Sequence, residues 1–382
     1  MSLFLLTFFL IYGGTHAYAL YKAQTALAFG WKTSIAAIPP LAALLCGPLI
    51  AYFLEARGME GAARAASWVA YTWMGLLFFF TWMNLALDGV NLLSRILTAV
   101  TGEGPRPLLV YGRPAFLALA GLSMAMGAYS IFEASRIRPE HLRILTDKLP
   151  AATKRIRVVQ ISDVHLGLLV RHRKAAAIAE LVRTAEPDLF VSTGDLVDGR
   201  INRLEGLAEI FREVRAPLGK YAVTGNHEFY AGIGTALDFT HKAGFTVLRG
   251  EAVTAGNVLR IAGVDDPAGR AFGPAPGRTE EELLENGPSA LFTLLLKHRP
   301  FLSSPARKAD VLQLSGHTHN GQIFPFRLLV RIWYPLLSGL YLPGEGGALY
   351  TSRGTGTWGP PMRFLSPPEV TIIDIERTPA RL

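Results

Sequence analysis

The chain has one cysteine, Cys46, in 382 residues, so no disulfide can close within it and a thiolate metal cage is excluded. Charge is also scarce: 18% of the residues are Asp, Glu, Lys or Arg, and the mean hydropathy of +0.27 is too apolar for an ordinary soluble enzyme. The shortage is local. Residues 4–21, 35–54, 68–87 and 108–132 are long, nearly uncharged runs, each close to the ~20 residues with which a helix crosses a bilayer core. They predict a four-helix transmembrane bundle. The chain opens Met1-Ser2-Leu3, with no positive charge before the first run, so that run is expected to be a retained helix rather than a cleaved signal. Pro39, Pro40 and Pro114 lie inside the runs, where neighbouring helices can satisfy the freed backbone groups. The sequence has no internal repeat, and the spans show no obvious charged pair, which argues against a transporter.

The net charge is +8, and seven of the positive residues (Arg136, Arg138, Arg143, Lys148, Lys154, Arg155 and Arg157) follow the last run. An anionic membrane surface, rather than nucleic acid, is the partner this flank predicts. Under the positive-inside rule it puts the C-terminal part on the cytoplasmic side of the cell (inner) membrane, while Lys22, Lys32, Arg95 and Arg106 pull the other way. Residues 1–134 are therefore read as a multi-pass helical domain, 135–154 as a basic linker and 155–382 as a catalytic domain.

From Arg155 the texture changes. Strand patterns at 156–162, 188–193 and 220–224 alternate with helical patterns at 173–185, 204–214 and 237–243. Further strands are expected at 245–248, 258–262, 292–296, 311–314, 348–352 and 370–375, which predicts two packed sheets flanked by helices. Residues 266–288, rich in Gly, Pro and Glu, form a long connection suited to shaping access to a site. The informative residues stand where strands end: Asp163-Val164-His165, Gly194-Asp195, Gly225-Asn226-His227-Glu228 and Gly316-His317-Thr318-His319. Carboxylate, amide and imidazole donors suit Mn, Fe, Zn, Co or Ni better than a purely oxygen-seeking ion.

This ordered series, with His298 between its last two members, resembles the calcineurin-like metallophosphoesterase superfamily over residues 155–376. Ser352-Arg353-Gly354-Thr355-Gly356, Arg363-Phe364 and Pro368-Glu369-Val370 are similar to its membrane-associated, bacterial-type branch. The resemblance implies an α/β fold, a four-layer αββα sandwich, and two divalent metal ions, with Mn favoured over Fe, Zn or Co. It implies Asp163, His165, Asp195 and His319 around one ion, and Asp195, Asn226, His298 and His317 around the other. A shared Asp195 also makes physical sense, because two divalent ions about 3.5–4 Å apart repel and need an anion between them. A water there would lose its proton near neutral pH and attack phosphorus as hydroxide. His227 is implied as the proton donor to the departing group, with Asp163 a candidate to orient it. Glu228, Asn320 and Gln322 are candidates to hold ligand imidazoles or to serve as turn residues. Arg353 is a candidate for a substrate phosphate. Asp265-Asp266 reads as a turn, and His16, His141, His172 and His241 fall outside the pattern.

Residues 323–342 are too apolar for a surface loop, yet Pro325, Arg327, Arg331 and Pro335 disfavour a fifth span. A segment resting at the membrane interface is expected, with Trp333 and Tyr334 suited to that zone and burial in the domain's own core as the alternative. The expected substrate is then a lipid-linked phosphodiester or pyrophosphate, in a phospholipid or a nucleotide-diphosphate glycolipid. Soluble nucleotides or cell-envelope polymers are the second enzymatic reading. A third reading, an inactive membrane scaffold or sensor, is opposed by the complete set of ligand residues.

Overall fold

The computed structural model describes residues 3–101, 112–199, 204, 206–285, 290–344 and 346–379. The chain divides into a helical unit, Met1–Phe132 with Gly359–Met362, and a second unit, Glu133–Trp358 with Arg363–Leu382.

The helical unit contains α1 (Leu3–Leu27), α2 (Trp31–Leu45), α3 (Gly47–Ala56), α4 (Glu60–Thr101) and α5 (Arg113–Ser135). Among the described residues, α4 and α5 are each long and apolar enough to cross a membrane, and α2 and α3 pass the same test together although bent by 50°. The bend falls where Pro48 enters the first turn of α3, since a proline ring supplies no backbone donor to the preceding turn. Part of the expected run 108–132 lies outside the described residues, and helix resumes at Arg113. A charged pair stands just past the ends of the expected runs 4–21 and 68–87: Lys22 Nζ on α1 meets Asp88 Oδ1 on α4 at 2.5 Å, and Tyr18 Oη donates to Asp88 Oδ2 at 2.6 Å. The partners are 66 residues apart in the chain, so only the folded arrangement reveals the pair.

The second unit holds two six-stranded sheets. Its strands are β1 (Arg138–Thr146), β2 (Arg155–Ile161), β3 (Leu189–Ser192), β4 (Lys220–Ala222), β5 (Thr246–Val247), β6 (Glu251–Ala255), β7 (Leu259–Gly263), β8 (Thr293–Leu296), β9 (Val311–Ser315), β10 (Gly339–Tyr341), β11 (Ala348–Thr351) and β12 (Glu369–Arg377). Its helices are α6 (His172–Thr184), α7 (Leu207–Arg212), α8 (Asn226–Ala231), α9 (Ile233–Lys242), α10 (Glu280–Glu285), α11 (Ser304–Lys308) and α12 (Arg327–Trp333). One sheet runs β1-β12-β2-β3-β4-β5 and the other β10-β11-β9-β8-β7-β6. Within the first, β2 to β5 are parallel while β12 is antiparallel to β2; within the second, β7, β8, β9 and β11 are parallel.

Side-chain alternation builds the layers. Val159 and Ile161 of β2 face one way, into a core with Ile178 and Val182 of α6, Phe211 of α7 and Phe239 of α9. Ile156 and Val158 face the other way, into a core shared with Ile261, Leu294, Leu296, Leu312 and Leu314 of the second sheet. Leu295 on the far side of that sheet packs with Leu283 of α10 and Ala306 of α11. The order is helix, sheet, sheet, helix, as the αββα expectation required.

Two expectations change. The stretch 135–154, read as a basic linker, carries β1, paired in parallel with β12 from Arg138↔Glu369 to Thr146↔Arg377. Its charges hid a period of two, in which Leu142 and Ile144 pack against the inter-sheet core while Arg143 pairs with Glu376 at 2.6 Å. The connection 266–288 is not featureless, for it contains a 3-10 turn at Pro267–Phe272 and α10.

Candidate metal centre

Parallel strands share one direction, so their C-terminal loops collect at one edge. The loops after β2, β3, β4, β8 and β9 carry Asp163 and His165, Asp195, Asn226 and His227, His298, and His317 and His319 respectively. Three overlapping groups have ligand atoms that all lie within 4.8 Å of one another: Asp163 with His165 and His319, Asp195 with His298 and His317, and Asp195 with His165 and His227. Every sequence-derived ligand except His317 is buried, and His317 is half-buried.

The backbone is strained where it presents them. Asp163, His165, Asp195, His317 and His319 all have positive φ, between +49° and +71°. Each such residue costs on the order of 1 kcal/mol, a cost that concentrates at functional sites. The glycines of the motifs have a packing reason. A Cβ on Gly225 would sit 2.1 Å from Asp195 Oδ1, and one on Gly316 would sit 2.1 Å from Asp163 Oδ2.

The hydrogen bonds fix which atoms face the centre. His298 Nδ1 lies 2.8 Å from the Thr193 carbonyl, to which it donates, leaving Nε2 directed at Asp195 Oδ2 at 3.2 Å. His317 Nε2 lies 2.8 Å from Tyr334 Oη, leaving Nδ1 3.1 Å from His298 Nε2. His165 Nε2 and His319 Nε2 approach to 3.1 Å. Asp163 accepts from Ser162 Oγ at 2.5 Å and from the His317 backbone N–H at 3.0 Å. Asp195 Oδ1 accepts from the His227 N–H at 2.8 Å. Asn226 Oδ1 and His165 Nδ1 are buried with no hydrogen-bond partner. Convergent imidazole nitrogens and two carboxylates, with an unpartnered buried amide oxygen on the loop after β4, make a donor set that fits divalent ions.

The electrostatics agree with that fit. Burial holds the His165 ring down to about 4 and the His317 ring down to about 2, the latter helped by the neighbouring His298, so both offer lone pairs at neutral pH. Burial opposes a charge on His298 too, yet Asp195 reverses it and lifts that ring to about 10. This corner therefore favours a positive charge beside His298 Nε2. Burial pushes the Asp163 carboxyl up to about 6, whereas at Asp195 burial is outweighed by His298 and His227, which hold it well below the ordinary carboxylate range.

The supporting residues differ in part from expectation. His227 is oriented by Asp198, whose Oδ1 lies 2.9 Å from Nδ1, and not by Asp163. The signal was present as a second carboxylate three residues beyond Asp195. Burial lowers the His227 pKa, but Asp195 and Asp198 together raise it to about 9. Glu228 holds no imidazole; it accepts from the backbone N–H groups of Asp195, Leu196 and Gly225 at 2.9, 2.8 and 2.6 Å, binding two of the loops together. Asn320 accepts from Ser338 Oγ at 3.1 Å, and Gln322 grips the backbone of Trp358. Arg353, the candidate for a substrate phosphate, pairs with Glu140 and Glu369, at 2.7 and 2.6 Å. The arginine at the centre is Arg363, fully buried, with Nη2 3.0 Å from His319 Nδ1. Asp265 and Asp266 are more than a turn, pairing with Arg249 and Arg299 at 2.7 Å each. Arg299 in turn reaches Tyr334 Oη at 3.4 Å.

The family model for the calcineurin-like phosphoesterases matches residues 156–321. The chain is 42% identical over 256 residues to an uncharacterized metallophosphoesterase of Aquifex aeolicus, covering 67% of this chain and 98% of that one. It is 31% identical over 318 residues to a transmembrane protein with metallophosphoesterase domain from Danio rerio, covering 79% and 71%. A Campylobacter jejuni metallophosphoesterase, also uncharacterized, is 30% identical over 326 residues, covering 82% and 84%. With two mixed sheets, a cluster of His and Asp at their edge and relatives of this extent, the chain belongs to the calcineurin-like metallophosphoesterases, metal-dependent hydrolases of phosphoric esters.

Proposed function

We propose that the protein is a membrane-anchored binuclear hydrolase that cleaves a phosphodiester or pyrophosphate bond in a lipid-linked substrate. Asp163, His165, Asp195 and His319 hold one ion, Asp195, Asn226, His298 and His317 the other, and manganese suits both donor sets. Such an ion pair supplies an acidified water and countercharge for phosphate oxygens. Of the chain's own groups, His227 protonates the departing oxygen, and Asp198 keeps its Nδ1 hydrogen-bonded so that Nε2 faces the substrate.

The observation that carries the lipid reading is α12. Leu328, Leu329, Ile332 and Trp333 are 56–77% exposed and no residue of the helix is buried, whereas Ile323 and Leu337 on either side of it are, so the interfacial reading rests on the helix itself. An apolar face this open, beside Arg327 and Arg331, suits a lipid interface. Its next residue, Tyr334, touches His317, so the helix ends at the metal centre. A multi-pass arrangement of four spans, with the hydrolase unit at the cytoplasmic face and an anionic lipid surface as partner, is the accompanying reading; the basic flank from Arg136 to Arg157 supports it.

The test uses the full chain in mixed micelles with two substrates, a phospholipid diester and soluble bis-p-nitrophenyl phosphate. Changing Leu329→Glu and Trp333→Glu together should lower kcat/KM on the lipid at least tenfold while the soluble ester changes less than twofold. An equal effect on both substrates would remove the interfacial role.

A further inference from the structure

The leaving-group side of the centre has a wall that the hydrolytic reading does not use. The His227 ring meets two aromatic side chains edge-on, Tyr230 and Trp358, each with its centroid 5.6 Å away and its plane inclined by 70°. Tyr230 stands one helical turn beyond His227 on α8, whereas Trp358 comes from a loop far along the chain. Both are open to solvent, Tyr230 at 63% and Trp358 at 52%. Large aromatic side chains so exposed and so close to a proton donor need a reason.

Trp358 is also held in place. The Gln322 side chain donates from Nε2 to the Trp358 carbonyl at 2.8 Å and accepts the Trp358 N–H at Oε1 at 3.0 Å. Gln322 lies three residues past His319, in the loop that delivers His317 and His319, with its own φ at +53°. A glutamine at positive φ that bonds both the N–H and the carbonyl of one tryptophan fixes that residue's backbone relative to the loop that carries His317 and His319. Such a two-point clamp would be wasted on a loop residue with nothing to contact. On the other side of His227, Asp198 occupies Nδ1, while Nε2 makes no hydrogen bond to another described residue.

We infer that Trp358 and Tyr230 form the leaving-group subsite, and that it takes a departing alcohol or phenol that carries an aromatic ring, such as a phenol or a nucleoside. Whatever leaves must put its oxygen next to His227, within reach of the two exposed rings beside it, where offset stacking rewards planar groups and branched alkyl chains gain little. This inference rests on the assignment of His227 as proton donor but not on the lipid reading. Tyr230 and Trp358 select the substrate; Gln322 is a positioning residue.

The experiment compares the metal-loaded full chain with its Trp358→Ala and Trp358→Phe variants. The two soluble diesters, methyl phenyl phosphate and methyl hexafluoroisopropyl phosphate, have leaving groups similar in acidity but different in shape. Trp358→Ala should lower kcat/KM on the phenyl ester at least ten times more than on the alkyl ester, chiefly through KM, and Trp358→Phe should recover most of the difference. Equal losses on both esters, or none, would overturn the subsite. Wild-type protein that cleaves neither ester would instead overturn the phosphodiesterase reading beneath it, and the two failures are distinguished by the wild-type rates alone.

Discussion

The two units treat charge in opposite ways. In the helical unit half-buried Lys22 and Asp88 pair with each other and Tyr18 donates to Asp88, each contact within 2.6 Å. In the hydrolase unit, imidazole nitrogens face one another, His165 against His319 and His298 against His317, both at 3.1 Å, beside two carboxylates. The first set joins opposite charges and contributes to structure. The second brings more lone pairs together than protons can satisfy, and it is completed by cations.

The comparison breaks most sharply at Asp195, which belongs to two of the three clusters. Asp195→Asn should reduce kcat/KM by more than about a thousandfold, since metal assistance and preorganised charge supply most of the rate. Circular dichroism should show the fold retained, and full turnover would refute a bridging role. Next is His227→Ala, expected to cost about a hundredfold with poor leaving groups and far less with p-nitrophenolate. Both ions should stay bound; equal losses across leaving groups would sink the assignment as proton donor.

Arg353 sharpens the contrast between structural and functional charge. Arg353→Ala leaves Glu369 buried without its cation, and should cost about 2 kcal/mol of stability in chemical denaturation while KM for a soluble diester stays constant. A raised KM at unchanged stability would restore Arg353 to substrate binding. In the helical unit Asp88→Ala should cost on the order of 1–2 kcal/mol in detergent and leave metal content untouched.

The smallest effect belongs to a partly exposed pair. Arg157 donates to Asp374 at 2.8 Å and holds that carboxyl below its ordinary range. A depressed folded pKa means that the contribution is present above the unfolded value and is lost as pH falls through the folded one. Asp374→Asn should therefore cost about 0.5–1 kcal/mol at pH 7, a difference that vanishes in strong acid.

Much of the hydrolase unit was legible because its information is local. Strands β2, β3, β8 and β9 are short apolar runs, and each donates its ligands from the residues just beyond its end. What escaped depended on distant partners or on masked periodicity. β1 looked like a linker because its exposed positions are charged, and only its pairing with β12, more than 200 residues later, makes it a strand. Arg353 and Arg363 are ten residues apart and indistinguishable by type. Which one reaches the centre is decided by Glu140 and Glu369 capturing the first. The Lys22 and Asp88 pair escaped for the same reason. Asp198, by contrast, was readable, since three residues past a strand-end aspartate is a natural place for a group that supports the same loop.

Metal content per chain, measured by elemental analysis on purified, active, full-length protein, decides whether the clustered side chains hold ions. Two divalent ions per chain are expected, with loss of turnover when a chelator removes them and recovery on adding manganese. Full hydrolysis by protein carrying no bound ion would contradict the metal assignment.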